Sequence, residues 1–352
     1  MSRRAATVAL TAGLLVALIS VMAVFFPVPY AAMRPGVTTN TLGNDDEGKP
    51  LIAISGHETY PTGTGHLNLT TVYVTGKSYP MTLVEALQGW LDPNVAIVPR
   101  EELYPDADQT QEQIRQENAE LMEMSQQHAT AAALKELGIA PTETYLLVSS
   151  IDGNAPAAGK LRAGDRILRV DGRKVSTLED VTDRITARAP GDEVSIEVDR
   201  DGETTTVAIP TIADQDGKAR VGIGVEYGYE FPFKVDFEIG DIGGPSAGLM
   251  FALGIVDKLT PGEMTAGKFI AGTGTIDGSG TVGPIGGIQQ KIIGAKDAGA
   301  IMFLTPKDNC SEAVQSPPKG IRIVPVSTLH DALGAVETLT TGDPAALPSC
   351  PQ

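Results

Sequence analysis

The sequence predicts an α+β protein built in parts: an N-terminal transmembrane helix, a mixed α/β N-terminal region, a small barrel-like β domain and a C-terminal α/β domain. Three observations predict this. An uncharged, mostly apolar run, Val8–Phe26, follows Arg3 and Arg4. In mid-chain, Val194–Val198 and Thr204–Ile209 alternate around Asp201-Gly202, a strong hairpin signal. Beyond Val221, short strand-like runs alternate with helical patterns, which argues for layered α/β structure. The chain's 352 residues give room for two or three domains, and a 42% hydrophobic content is enough to fill their cores.

The apolar run has about the length of one membrane span, roughly 17–25 residues. Basic residues before it predict a cytoplasmic N-terminus and an extracytoplasmic remainder at the cell membrane. A cleaved signal peptide is the rival reading, although Pro27–Met33 offers no clean small-x-small site. With residues 1–27 taken as the anchor, residues 28–141 form the N-terminal region. Pro27–Pro50 reads as an extended connection. Leu51–Ile54 and Leu67–Val74 read as strands and Met81–Leu91 as a short amphipathic helix with Leu83, Ala86, Leu87 and Trp90 on one face. Trp90 is read as a core residue. Gln109–Leu137 is a long polar helix stopped by Gly138, with no visible chemistry.

Residues 142–212 change texture. Tyr145–Ile151 reads as a strand, Leu178–Arg188 as a helix and Pro190-Gly191-Asp192 as a turn before the hairpin. The run Leu161-Arg162-Ala163-Gly164-Asp165-Arg166-Ile167-Leu168-Arg169-Val170-Asp171-Gly172 resembles the pattern of PDZ domains in their bacterial protease-associated form. That resemblance implies a barrel-like β domain that binds an extended peptide by strand addition, with Tyr145, Leu146, Leu147 and Val148 as the binding edge. A small β domain that only spaces two other parts is the plainer alternative.

Residues 221–341 carry the chemistry. Ser246 lies in Gly243-Gly244-Pro245-Ser246-Ala247-Gly248, before the apolar run Leu249–Val256. Glycines and a proline that open a helix present a hydroxyl beside unpaired backbone N–H groups, an arrangement suited to an oxyanion. A serine needs a base. None of the four histidines, His57, His66, His128 and His330, lies in a triad motif. A buried lysine can serve instead, because desolvation disfavours its charged form. Lys291 ends Pro284-Ile285-Gly286-Gly287-Ile288-Gln289-Gln290-Lys291.

These motifs, in this order, resemble the Lon protease proteolytic domain over about Val221–Leu339. Gly244–Gly248 matches its nucleophile motif, Pro284–Lys291 its lysine motif, and Leu304-Thr305-Pro306-Lys307-Asp308-Asn309 a third element. The resemblance implies a Ser246–Lys291 dyad supported by Thr273, which precedes Gly274, with Gly244 and Pro245 beside the oxyanion. Gln289 stands where Lon often has lysine, and Gly243 where it often has aspartate, a departure toward membrane-anchored PDZ–Lon proteins.

Gly262–Phe269 nearly spells a phosphate-binding loop. It fails at Phe269, where a hydroxyl should hold magnesium, so no cofactor is expected and cleavage should need no ATP. A net charge of −17 excludes a nucleic-acid surface. Cys310 and Cys350 cannot make a zinc site, and no metal is expected. In an exported protein they pair as one disulfide, tying the Pro-rich tail, residues 342–352, to the loop after Asn309. The expected function is an ATP-independent, membrane-anchored serine endopeptidase acting on unfolded or extended substrates. A catalytically dead binding scaffold and a self-processing protein are the alternatives, and a homo-oligomer stays open.

Overall fold

The computed structural model describes residues 7, 10–17, 26–45, 47–106, 108–240 and 242–351. The chain enters as strand β1 (Tyr30–Asn40), then β2 (Ile52–Ser55) and β3 (His66–Val74). Helix α1 (Leu83–Leu91) follows, with Thr82 and Glu85 forming a capping box, then β4 (Ala96–Pro99) and the long helix α2 (Gln111–Glu136), capped the same way by Thr110 and Gln113. The stretch expected to be an extended connection thus contains the 11-residue strand β1.

The central domain contains β5 (Glu143–Ile151), β6 (Arg166–Val170), α3 (Leu178–Thr186), β7 (Glu193–Arg200), β8 (Glu203–Pro210) and β9 (Ile223–Glu230). Their order in the sheet is β9-β5-β6-β7-β8. Val148, Ile167, Val181, Val194, Ile196, Val198 and Ile209 fill its core. Asp165, from the Gly-Asp motif, is buried and held by the guanidinium of Arg200 and the Arg162 N–H, so its role is structural. The chain then continues through β10 (Lys234–Phe237), α4 (Gly248–Leu259), β11 (Phe269–Gly272), α5 (Ile288–Asp297), β12 (Met302–Pro306), β13 (Arg322–Val326) and α6 (Leu329–Thr341).

A second sheet joins strands from before and after the central domain, in the order β13-β12-β11-β3-β1-β4. β3 runs parallel to β11, with Leu67 opposite Ile270 and Leu69 opposite Gly272, and antiparallel to β1. Alternation along each strand serves two layers. Ile270, Met302, Leu304 and Val324 face α2, α4 and α6, whereas Ala271, Phe303 and Ile323 face α5. β2 pairs with β10 at the margin.

Three expectations need correction. Residues 28–141 and 221–341 are not separate units, because they share this sheet and its core, and the central domain is inserted between them. β9 closes the central sheet, so that domain runs to Glu230, beyond the expected limit at residue 212. The transmembrane helix is not borne out: among the described residues no helix is long and apolar enough to cross a membrane. Residues 1–6, 8–9 and 18–25 of the expected anchor lie outside the described residues.

On α1 the helix buries Ala86 and Gly89, not its large side chains. Trp90 is 52% exposed and meets Tyr30 edge-on, so it is not a core residue.

Candidate active site

Ser246 is the middle residue of a 3-10 turn, Pro245–Ala247, that opens α4. Gly244 before it has φ 88°, a left-handed conformation that favours glycine. Pro245 takes the first helical position, where a missing N–H costs nothing. The turn is held from two sides. From α2, the Asn118 carbonyl accepts the Gly244 N–H (2.9 Å), and Ser125 Oγ donates to the Pro245 carbonyl (3.0 Å). From the strand β11 side, the Ser246 carbonyl accepts from the Gly274 N–H and from Thr273 Oγ1, both at 2.9 Å.

Lys291 lies one turn into α5. Gly287 starts that helix at φ 67°, and a Cβ there would stand 2.9 Å from Val72 Cγ1. Asn309 clamps the loop before it, accepting the Ile285 N–H and donating to the Ile285 carbonyl, each at 2.9 Å. Lys291 is 2% exposed. Its Nζ is 2.8 Å from Ser246 Oγ, 2.9 Å from the Thr70 carbonyl oxygen and 3.1 Å from Thr273 Oγ1. All three partners are uncharged, and burial pulls the lysine pKa down to about 8.

The neutral amine has two N–H donors and one lone pair. The Thr70 carbonyl can only accept. The Thr273 proton is given to the Ser246 carbonyl, so toward Lys291 its oxygen also accepts. Both N–H groups are therefore used, and the lone pair is left for the Ser246 hydroxyl proton. A cavity of about 340 Å³ opens at the pair, and Val37, Val72, Met122 and Ile242 line it together with Ser246 and Lys291.

The structure brings Ser246, Lys291 and Thr273 together. It does not give Gly244 or Pro245 the oxyanion role: the Gly244 N–H is taken by Asn118 and proline has none. Gly243 has a reason to lack a side chain, since a Cβ there would come 2.9 Å from Asn118 Cβ. Two contributors escaped the sequence reading. Thr70 acts through its backbone carbonyl, which has no residue signature, and Ser125 lies on a polar helix without a motif.

Tyr145, Leu146, Leu147 and Val148 do not form a free edge. β9 pairs along all four, from Gly228 opposite Tyr145 to Val225 opposite Val148, and β6 pairs with Leu146 and Leu147 on the other side. The sheet's outer strands are β9 and β8.

In the near-phosphate loop, Thr265 is fully buried and Lys268 Nζ donates to the Leu339 carbonyl. Among the described residues, no group of three His, Cys, Asp or Glu side chains could hold a metal ion. Cys310 and Cys350 form a disulfide with Cα atoms 5.2 Å apart.

Residues 134–211 match the PDZ domain model, and residues 240–337 match the model of the Lon protease (S16) C-terminal proteolytic domain. The chain is 40% identical over 93 residues to Lon protease of Azospirillum brasilense, covering 26% of this chain and 11% of that protein. It is 36% identical over 95 residues to Lon protease 2 of Bacillus subtilis, covering 27% and 17%. Each match thus spans less than a fifth of the relative's length. A crystal structure of the PDZ domain of an SdrC-like protein from Listeria innocua aligns at 30% identity and TM-score 0.22, covering 23% of this chain and 93% of that one. With a PDZ domain followed by a proteolytic domain of the Lon serine-peptidase type, the chain belongs to the PDZ–Lon family.

Proposed function

We propose that the protein is a Lon-type serine endopeptidase that cleaves extended protein segments without nucleotide. The observation that carries this reading is the 2.8 Å approach of Lys291 Nζ to Ser246 Oγ in a buried, carboxylate-free setting. Neutral Lys291 accepts the Ser246 proton as Oγ attacks the scissile carbonyl carbon. The resulting oxyanion is met by the Ser246 N–H, which helix geometry leaves unpaired in the first turn. Lys291 then gives its proton to the leaving amine, and an acyl-serine remains. A water molecule, deprotonated by the same lysine, releases the acid.

The substrate lies extended along Thr70–Tyr73. Support comes from β3 outrunning β11, whose last pair is Gly272 with Leu69, so the strand enters the cleft with that edge open. A peptide ligand of the PDZ domain adds beside β9, facing α3, whose Leu178, Val181 and Ile185 pack in the same cluster as Ile223 and Val225. β9 also meets α2 through Glu226 and His128, 3.0 Å apart, so peptide edge and nucleophile turn share one helix. The Cys310–Cys350 disulfide supports an oxidising compartment outside the cytoplasm.

The test is cleavage of an unfolded protein such as casein, with fluorophosphonate labelling of the full chain. Wild type should cleave and Ser246→Ala should do neither, with an unchanged melting temperature. Cleavage retained by a clean Ser246→Ala preparation would sink the assignment.

A further inference from the structure

We infer that Ser125, on α2 and outside the stretch matched to the Lon proteolytic domain, is a positioning residue that aims the oxyanion-binding N–H of Ser246. The inference rests on the proposed peptidase reading. Ser125 is 3% exposed, and its Oγ donates to the Pro245 carbonyl at 3.0 Å. That carbonyl and the Ser246 N–H belong to one peptide unit. A trans peptide is planar, and its C=O and N–H point in opposite directions. A hydrogen bond that fixes the Pro245 oxygen toward α2 therefore fixes the Ser246 N–H away from α2.

Two further features fix the geometry around Ser125 and the turn it holds. A Cβ on Gly248 would stand 2.9 Å from Ser125 Oγ, so the first turn of α4 lies directly against the hydroxyl. The neighbouring peptide is held by the same helix, through the Gly244 N–H and the Asn118 carbonyl. Gly244 has thereby given up its N–H and Pro245 has none, which leaves the Ser246 N–H as the donor whose direction matters. Without the Ser125 hydroxyl, the Pro245–Ser246 peptide can rock about its flanking bonds. Ser246 Oγ and Lys291 would still meet, because Thr273, Gly274 and Thr70 hold them from the other side.

The experiment compares full-length wild type, Ser125→Ala and Ser125→Thr in steady-state peptide cleavage and in inhibition by a peptidyl boronate. Ser246 Oγ bonds the boron of this probe, its proton passing to Lys291, and a boronate oxygen occupies the oxyanion position. Losing one oxyanion donor costs about 100- to 1,000-fold in turnover, so losing its aim should cost somewhat less, about 10- to 100-fold in kcat. In Ser125→Ala, KM should stay within about twofold and the boronate inhibition constant should rise by the same factor as kcat falls. The rise of activity with pH toward about 8, set by Lys291, should not move, and Ser125→Thr should recover most of the loss. An unchanged kcat in Ser125→Ala, or a lower kcat with unaltered boronate affinity, overturns the inference, as does a fall in melting temperature that accounts for the loss. Wild type that neither cleaves nor binds the boronate would instead overturn the peptidase reading itself.

Discussion

Thr273 and Lys291 are joined by a 3.1 Å hydrogen bond in which the threonine oxygen accepts, because its own proton goes to the Ser246 carbonyl. One hydroxyl thus touches both the base and the backbone of the nucleophile. It orients the amine by consuming an N–H, and it ties the amine's position to the nucleophile turn.

Activity should rise with pH. Lys291 works as a base only when neutral, and burial sets its pKa at about 8. kcat/KM should therefore increase about tenfold per pH unit below that value and level off above it. Lys291→Arg should be inactive, since arginine keeps its proton. A profile flat between pH 6 and 9 would contradict the assignment.

The same burial should appear in stability, with a definite sign. The unfolded lysine holds its proton up to its ordinary value of 10.5 and the folded one releases it near 8. Between those values the unfolded state binds more protons, so stability rises with pH, and below 8 the full cost of the buried ammonium is present. Lys291→Met should melt several degrees higher than wild type at pH 7, and the gap should close toward pH 10. Calorimetry at the two pH values checks this.

Gly243→Asp restores the residue that Lon proteins often carry, yet it should harm this one. The new Cβ would meet Asn118 Cβ at 2.9 Å, between two backbone segments that are hydrogen-bonded to each other. Overpacking of this kind costs about 1–3 kcal/mol. Activity should fall by at least tenfold, measured by peptide cleavage alongside urea denaturation.

Reduction should loosen the tail without stopping the chemistry. Cys310 and Cys350 close a loop with a separation of 40 residues. The chain-entropy model gives about 3–4 kcal/mol for such a loop. Cys310→Ser with Cys350→Ser should melt lower and still cleave at room temperature. Mass spectrometry after alkylation without reduction should find no modified cysteine in wild type.

The dyad was legible because its chemistry imposes residue types at short spacing: glycine and proline around Ser246, and a glycine loop before Lys291. The hairpin at Asp201-Gly202 was legible for the same local reason. The pairing of β3 with β11 was not, since nothing in Leu67–Leu69 announces a partner two hundred residues away. Misplacing the peptide edge has a related cause. Tyr145–Val148 reads as an edge only while β9 is ignored, and Val221-Gly222-Ile223-Gly224 looks like the glycine-rich opening of the next domain. The exposed face of α1 shows the limit of periodicity, which finds an apolar stripe without saying what covers it.

The parallel pair of β3 and β11 bears on how the protein is made. Lys291 reaches Thr70 across a separation of 221 residues. At ribosomal speeds of about 5–20 residues per second, Thr70 waits roughly ten to forty seconds for its lysine. During that interval β3 has an unpaired edge, and Ser246, once synthesised, lacks a base. A growing chain is therefore inert toward itself and toward its neighbours, and proteolytic competence arrives only as the last strands are laid down.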